Sequence, residues 1–311
     1  MTDLQQYIVE EWAEEFQQGR LDRREFLRRT VLLAGGATLA VPVLQHLGVL
    51  ASMDEIAEAA AAAAPRVAQT AGVTVPSDDP AIETAGMVSF LMGRTTLLAY
   101  LARPKSGGPV PGVVIVHENR GLLEHFKDVA RRLAKAGYAG LAVDLVSHEG
   151  GTAKFTDPAG VTAILGRTPP DQLVAMLKEG MRYLRGLSWV QRDRIGTMGF
   201  CFGGGMVWRL ATQNAELKAA VPFYGPNPPL QDVPKIKAAV LAIYGALDAR
   251  INAGIPAIRE AMQKAGIVHD IVVYPDADHA FFNDTGPRYH ERAAKEAWAR
   301  TLAWFDRYLK Q

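Results

Sequence analysis

The 311-residue chain has one cysteine, Cys201. That excludes an internal disulfide and a thiolate-rich zinc site, and leaves the thiol two roles: small core hydrophobe or reagent. Charge of one sign is lacking too, with 34 Lys+Arg against 33 Asp+Glu and a formal net charge of +1. No basic run occurs beyond the N-terminal one, so there is no phosphate-binding surface of the kind nucleic-acid proteins use, and small molecules are the expected partners. There is no H-E-x-x-H motif, no internal repeat, and no low-complexity array apart from an alanine run at 59–64. What is present, 49% hydrophobic and 22% charged residues, suffices to bury a full core in one large domain or two small ones.

The N-terminal fifth differs in character. Arg23 and Arg24 are followed by Glu25, Phe26 and Leu27, then by an uncharged run from Thr30 to Met53. This resembles a twin-arginine export signal, Arg-Arg-x-Phe-Leu ahead of a moderately apolar segment, with Asp22 where Ser or Thr is more usual. The alternative is an amphipathic helix followed by a buried one, which Gly35-Gly36, Pro42 and His46 disfavour. The resemblance implies that 1–53 is a signal read by the twin-arginine export machinery and that the protein is periplasmic or extracellular. Either the signal is cut within "EIAEAAAAAAPRVA", or it stays as a membrane anchor, the only membrane contact expected. Residues 54–80 read as linker and 81–311 as the body.

From residue 81, apolar runs and turn signals alternate. "GMVSFLM" and "TTLLAYLARP" suggest an antiparallel pair around Gly93-Arg94. "GVVIVH" is a short β-branched run, as in a strand covered on both faces, and "EHFKDVARRLAKAG" has helical period. Strands "YAGLAVDL", "RIGTMGF", "KAAVPFYG", "AAVLAIYG" and "DIVVYP" follow, interleaved with helical segments and closed by a helix from about residue 289 to 309. Strands separated by helices predict βαβ crossovers and a mostly parallel sheet with helices on both faces, the α/β class.

In such sheets chemistry collects beyond the carboxyl ends of the strands. Cys201 stands at one such end, in "GFCFGG", between a strand closing at Phe200 and a helix opening at Phe202. A strand that turns into a helix within one residue strains that residue and needs small neighbours two positions away, which Gly199 and Gly203 supply. This is the nucleophile elbow G-x-S-x-G with sulfur for oxygen; a core cysteine would need no such glycines. The helix N-terminus favours a thiolate, and the Phe202 N–H points toward the oxygen of a tetrahedral intermediate.

A nucleophile needs a base, and the base an orienting acid. In α/β-hydrolases these follow in the order nucleophile, acid, histidine, and here Asp248 follows "AIYGAL" and His279 lies in "YPDADHAF", each past a strand end. His269 sits at a strand start and His290 within the last helix. Asp276 and Asp278, rivals to Asp248, lie in the base's own loop. A further strand end, "VIVHENRGL", offers the Asn119 N–H for the second oxyanion contact and Glu118 as an acid near the thiol. His117 and Glu118, with His125, Asp144, His148 and Glu149, allow a second reading as metal ligands, although their spacing matches no known set.

Together "HENRG", "GFCFGG", "YGALD" and "DADHAF" resemble the dienelactone hydrolase family of α/β-hydrolases, over about residues 85–310. The resemblance implies an α/β-hydrolase fold and hydrolysis of carboxylic esters or lactones through a thioester, without metal or organic cofactor. Cys201 would be the nucleophile, His279 the base and Asp248 its orienter, with Phe202 and Asn119 as oxyanion hole. Glu118 would contact the resting thiol and help take its proton. Family members hold a substrate carboxylate through arginines, one of them four residues after the catalytic histidine; Asn283 stands there, leaving Arg120, Arg167 and Arg288 as replacements. The insertion at 152–170 is expected as a loop forming a partial cap. Two other classes remain: a metal-dependent hydrolase built on the His117/Glu118 region, and a non-catalytic ligand-binding module.

Overall fold

The computed structural model describes residues 1–62 and 74–310. Eight strands form one sheet: β1 (Ile82–Met92), β2 (Thr95–Pro104), β3 (Val110–Val116), β4 (Ala139–Asp144), β5 (Val190–Phe200), β6 (Ala219–Phe223), β7 (Ala239–Gly245) and β8 (His269–Tyr274). Their spatial order is β1-β2-β4-β3-β5-β6-β7-β8, with β1/β2 and β2/β4 antiparallel and every other pair parallel. The central strands β4, β6 and β7 are buried at every residue, which is why they read as unbroken apolar runs.

The helices are α1 (Asp3–Gln17), α2 (Arg23–Ala34), α3 (Ala37–His46), α4 (Met53–Ala61), α5 (Glu124–Lys135), α6 (Pro158–Arg167), α7 (Pro170–Gly186), α8 (Phe202–Gln213), α9 (Ala249–Asn252), α10 (Ile255–Lys264) and α11 (Glu291–Leu309). Helices α5, α7, α8 and α11 contact the central strands. Behind the β5–α8 junction, Phe200 packs at 4.8 Å from Phe223 and 5.1 Å from Phe282, an aromatic wedge fixing where β5 ends. The α/β-hydrolase architecture expected from the strand–helix alternation is the one observed.

Two expectations need correction. The insertion at 152–170 is not an open loop: Pro158 opens α6, whose N-cap Asp157 accepts the Ala159 N–H at 2.9 Å. Nor is 54–80 wholly linker, since α4 begins at Met53 behind a Ser52–Glu55 capping box. Residues 74–75 are also tied down, with the Val75 N–H donating to Asp128 at 2.8 Å. Much of the small-residue stretch named as a cleavage region, 63–68, lies outside the described residues.

The first 46 residues fold onto the body as helices. Asp22 is the N-cap of α2, accepting the Glu25 N–H at 2.9 Å; Ser and Thr fill that position by the same chemistry. Gly35, at φ 87°, ends α2, and the chain bends by 113° into α3, so no single helix among the described residues is long and apolar enough to cross a membrane. The bent pair passes that test together on length and composition. Arg28, nearly buried, is clasped between Glu25 and Asp157 at 2.6 Å each, joining α2 to the start of α6.

Candidate active site

The elbow forms as its glycines require. Cys201 has φ 58° and ψ −121°, a strained conformation for a residue with a Cβ, held by its N–H donating to the Phe223 carbonyl at 3.1 Å. A Cβ on Gly199 would lie 2.5 Å from the Gly203 carbonyl oxygen, and one on Gly203 would lie 2.4 Å from that of Val116. Only hydrogen fits at either position, so the flanking glycines are a steric demand of the turn.

Parallel pairing of β3, β5, β6, β7 and β8 sets the following loops along one edge. Asp248, three residues beyond β7, points Oδ2 at His279 Nδ1 across 2.5 Å, both residues buried. Oδ1 accepts the Ile251 N–H at 3.2 Å, so the carboxylate is held from two sides. Burial works against ionisation of Asp248, but the His279 ring outweighs it and holds the carboxyl below its ordinary range. Burial likewise opposes a charged His279, yet the charges of Cys201 and Asp248 raise it well above its usual value. The rivals are otherwise engaged: His269 bonds the Ile267 carbonyl, His290 caps α11 rather than lying inside it, and Asp276 is paired with Arg292 on the surface.

The loop after β3 departs from expectation in one respect. Among the described residues Glu118 makes no hydrogen bond to the thiol; its Oε2 accepts from Asn283 Nδ2 at 3.0 Å, and its Oε1 is buried with no hydrogen-bond partner. Asn283, which replaces the expected arginine, thus holds Glu118. The Asn119 backbone is fixed by Thr162 of α6, whose hydroxyl donates to its carbonyl at 2.8 Å. Neither the Phe202 nor the Asn119 amide has an acceptor among the described hydrogen bonds, as an oxyanion hole requires.

The place beside the thiol belongs to α1. Tyr7 Oη lies 3.2 Å from Cys201 Sγ, and the Glu11 carboxylate oxygens lie 3.6 and 3.7 Å from it. Glu11 also accepts from Asn119 Nδ2 at 3.1 Å and stands 3.8 Å from His279 Nε2. Burial pushes the Cys201 thiol up, and the adjacent Glu11 charge adds to it, opposing the helix N-terminus that would favour a thiolate. Nothing in the spacing around Cys201 announces Glu11 or Tyr7. The available signal was the helical pattern of residues 2–17, with its Thr2–Gln5 capping box and apolar Ile8 and Trp12 beside Glu11, Glu14 and Glu15.

Of the three arginines named as carboxylate partners, Arg288 alone comes near the thiol, where burial opposes its charge and Glu11, Glu15 and Cys201 favour it. Arg120 instead lines a cleft with Trp12, Glu25, Arg29 and Asp157, and Arg167 ends α6 near Gly35. Arg250, unforeseen, reaches the site from α9 and lies 4.7 Å from the Tyr7 ring centroid. The metal-ligand reading of the His117 region gains no clustered donor set among the described residues, and several of its atoms are engaged elsewhere. His117 Nε2 accepts the Leu145 N–H, so Nδ1 carries the proton donated to the Glu118 carbonyl, while His125 pairs with Asp284 and Asp144 holds Thr152. Among the described residues, the donor atoms of Glu11, Cys201 and His279, all within 4.8 Å of one another, form the one group spaced to hold a metal.

Residues 97–309 match the model of the Dienelactone hydrolase family. A carboxymethylenebutenolidase-named protein of Escherichia coli is 36% identical over 263 residues, covering 79% of this chain and 94% of the relative. One of the same name from Methylorubrum extorquens is 36% identical over 236 residues, covering 72% and 81%. Among solved structures, a dienelactone hydrolase-named protein of Klebsiella pneumoniae superposes with a TM-score of 0.68 at 36% identity, covering 73% of this chain and 100% of that one. A dienelactone hydrolase-like promiscuous phosphotriesterase from metagenomic libraries gives 0.65 at 26% identity, covering 73% and 99%. With this match over two thirds of its length and the elbow in place, the chain belongs to the dienelactone hydrolase family and is an ester or lactone hydrolase.

Proposed function

We propose that this hydrolase works by a Cys201–His279–Asp248 triad through a thioester, on substrates of the carboxymethylenebutenolide type or related esters and lactones. The observation that carries the reading is Cys201 at φ 58° on the elbow, with the buried His279–Asp248 pair in the same site. His279 takes the thiol proton and Cys201 sulfur attacks the carbonyl carbon. The tetrahedral oxygen is received by the Phe202 and Asn119 amides. The C–O bond to the leaving group breaks, His279 returns the proton to that oxygen, and the acyl group remains on sulfur. Water then gives a proton to His279 and its oxygen to the acyl carbon; the C–S bond breaks, His279 returns that proton to the Cys201 sulfur, and the acid leaves. Glu118, fixed by Asn283, and Arg288 and Arg250 supply the charged wall against which a substrate is selected.

Hydrolysis of a p-nitrophenyl ester and of a dienelactone by wild type and Cys201→Ala tests the assignment, with mass spectrometry locating the acyl adduct. Turnover is expected to vanish in Cys201→Ala and the adduct to map to Cys201. Equal rates in both proteins would overturn the nucleophile.

The export reading stands beside this one as a proposal. It is supported by Arg23 and Arg24 lying together at the start of α2, with side chains 43% and 63% exposed, where a twin-arginine receptor could reach them. Fractionation of bacterial cells expressing the full chain should find it outside the cytoplasm, and Arg23→Lys/Arg24→Lys should leave it inside. Identical distribution of the two would remove the export assignment and, with it, the periplasmic or extracellular location.

A further inference from the structure

We propose that α1 is an intramolecular plug that holds the hydrolase shut, so that the intact chain is latent until α1 is displaced or severed. The proposal takes Cys201 as the reactive group and so rests on the function proposed above. With α1 in place, Cys201 and His279 are each 2% exposed, and the thiol meets Tyr7 and Glu11 where an acyl group would have to sit. Glu11 also takes the side-chain amide of Asn119, whose backbone belongs to the oxyanion loop. The helix lies outside residues 97–309, the part shared with the family, and is an addition laid over a complete catalytic core.

Two features make this a plug rather than another wall of the active site. Its attachments run around the rim: Glu14 to Arg250 and Glu15 to Arg288 at 3.4 Å, Asp3 to Arg209 at 3.5 Å, and Arg20, just past the helix, to Asp278 at 3.3 Å. The Asp3–Arg209 pair is open to solvent at Asp3 and the Arg20–Asp278 pair is partly exposed, the kind that contributes least, whereas the Glu14–Arg250 and Glu15–Arg288 pairs are mostly buried and are the ties that opening must break. At the centre the fit is incomplete. Glu118 Oε1, Tyr224 Oη and Arg250 Nη2 are buried without a hydrogen-bond partner among the described residues, and His279 Nε2 has no hydrogen bond, only Glu11 at 3.8 Å. A helix that covers a polar site and leaves four of its groups unsatisfied is a poor permanent occupant, because each orphan penalises the closed state and favours a ligand able to pair with it. The apolar side of α1, Tyr7, Ile8, Val9 and Trp12, keeps it docked in the absence of such a ligand. A cut in the turn after Gln17 would make this docking dissociable, so removal of an N-terminal segment and activation would be one event once α1 leaves.

The test uses the full chain with a protease recognition sequence inserted at Gly19. That glycine has φ 69° and open space around its Cα, so an insertion meets nothing. A second full-length variant, Glu14→Arg/Glu15→Arg, sets like charges against Arg250 and Arg288 without touching the catalytic groups. Cys201 alkylation by iodoacetamide and p-nitrophenyl ester hydrolysis are followed before and after cutting. Alkylation at least 30-fold faster after cutting, with hydrolysis rising at least 10-fold and the charge-reversed protein in between, supports the plug. Alkylation accelerated with no hydrolysis in any form also supports it and makes the thioester mechanism the part that fails. Alkylation and hydrolysis within twofold before and after cutting, with α1 shown to be released, would overturn it.

Discussion

Replacing Asp248 by asparagine tests the triad at its most constrained point. Asp248 serves two neighbours at once, Oδ1 accepting from the Ile251 N–H and Oδ2 lying 2.5 Å from His279 Nδ1. Asparagine keeps the α9 cap only with its amide oxygen on Ile251, which turns its NH2 toward Nδ1. Nδ1 must then accept, the ring proton moves to Nε2, and the nitrogen facing Cys201 can no longer act as base. Flipping the amide rescues the tautomer but sets NH2 against the Ile251 N–H. That forfeits the cap, about 1 kcal/mol, and leaves a buried donor unpaired, about 1–3 kcal/mol. The charge that steadied the imidazolium is lost in both orientations, and at 1–2% exposure water cannot replace it. The flip alone thus costs about 2–4 kcal/mol, a fall in kcat/KM of roughly 30- to 10³-fold, and the lost charge adds to it. The measurement is p-nitrophenyl acetate hydrolysis by wild type and Asp248→Asn, each with α1 cut, with melting curves to show that the fold persists. A loss under threefold in a protein of unchanged melting temperature would refute the orienting role.

Two further outcomes follow from packing and charge. Gly203→Ala would place a methyl 2.4 Å from the Val116 carbonyl oxygen and 2.5 Å from that of His117, both backbone atoms that cannot step aside; urea unfolding should show a loss of about 1–3 kcal/mol or more, and unchanged stability would contradict the steric account of the elbow. The α2–α6 clasp should weaken in acid: burial would raise Glu25 and Asp157, but Arg28 holds both below their ordinary range. Their contribution is therefore complete above the unfolded-state values near 4 and falls away as pH drops through the lower folded ones. The melting temperature should decline between pH 5 and 3 more steeply in wild type than in Arg28→Met, where the clasp is already absent, and parallel curves would remove it from the account.

The outcome for each part of the chain follows the range of the interaction involved. The elbow was legible because its demands are local. A residue forced to φ 58° between strand and helix needs glycines two places either side, and G-x-C-x-G-G states that in six letters. The sheet was legible because strands buried on both faces must be apolar throughout. Asp248 and His279 could be chosen over their rivals because chain order and strand ends specify one edge of a parallel sheet. The helical fold of 158–167 went unread because Gly and Pro suggest a loop, while Pro158 at the first helical position does the opposite.

What only the tertiary structure decided is who stands beside the thiol. Glu118 had the right neighbourhood by topology, yet Asn283 turns it aside and Glu11, 190 residues from Cys201, takes the contact. The residues of α1 show an amphipathic, acidic helix but carry no mark of the surface it covers. That surface exists only once β3, β5, β7 and β8 have brought their loops together, with Arg250 and Arg288 at its rim. The amino-acid sequence by itself therefore determined the machinery, whose parts are dictated by steric and chemical rules between near neighbours. Whether that machinery stands open or closed depends on a long-range packing choice, and only the folded chain makes it.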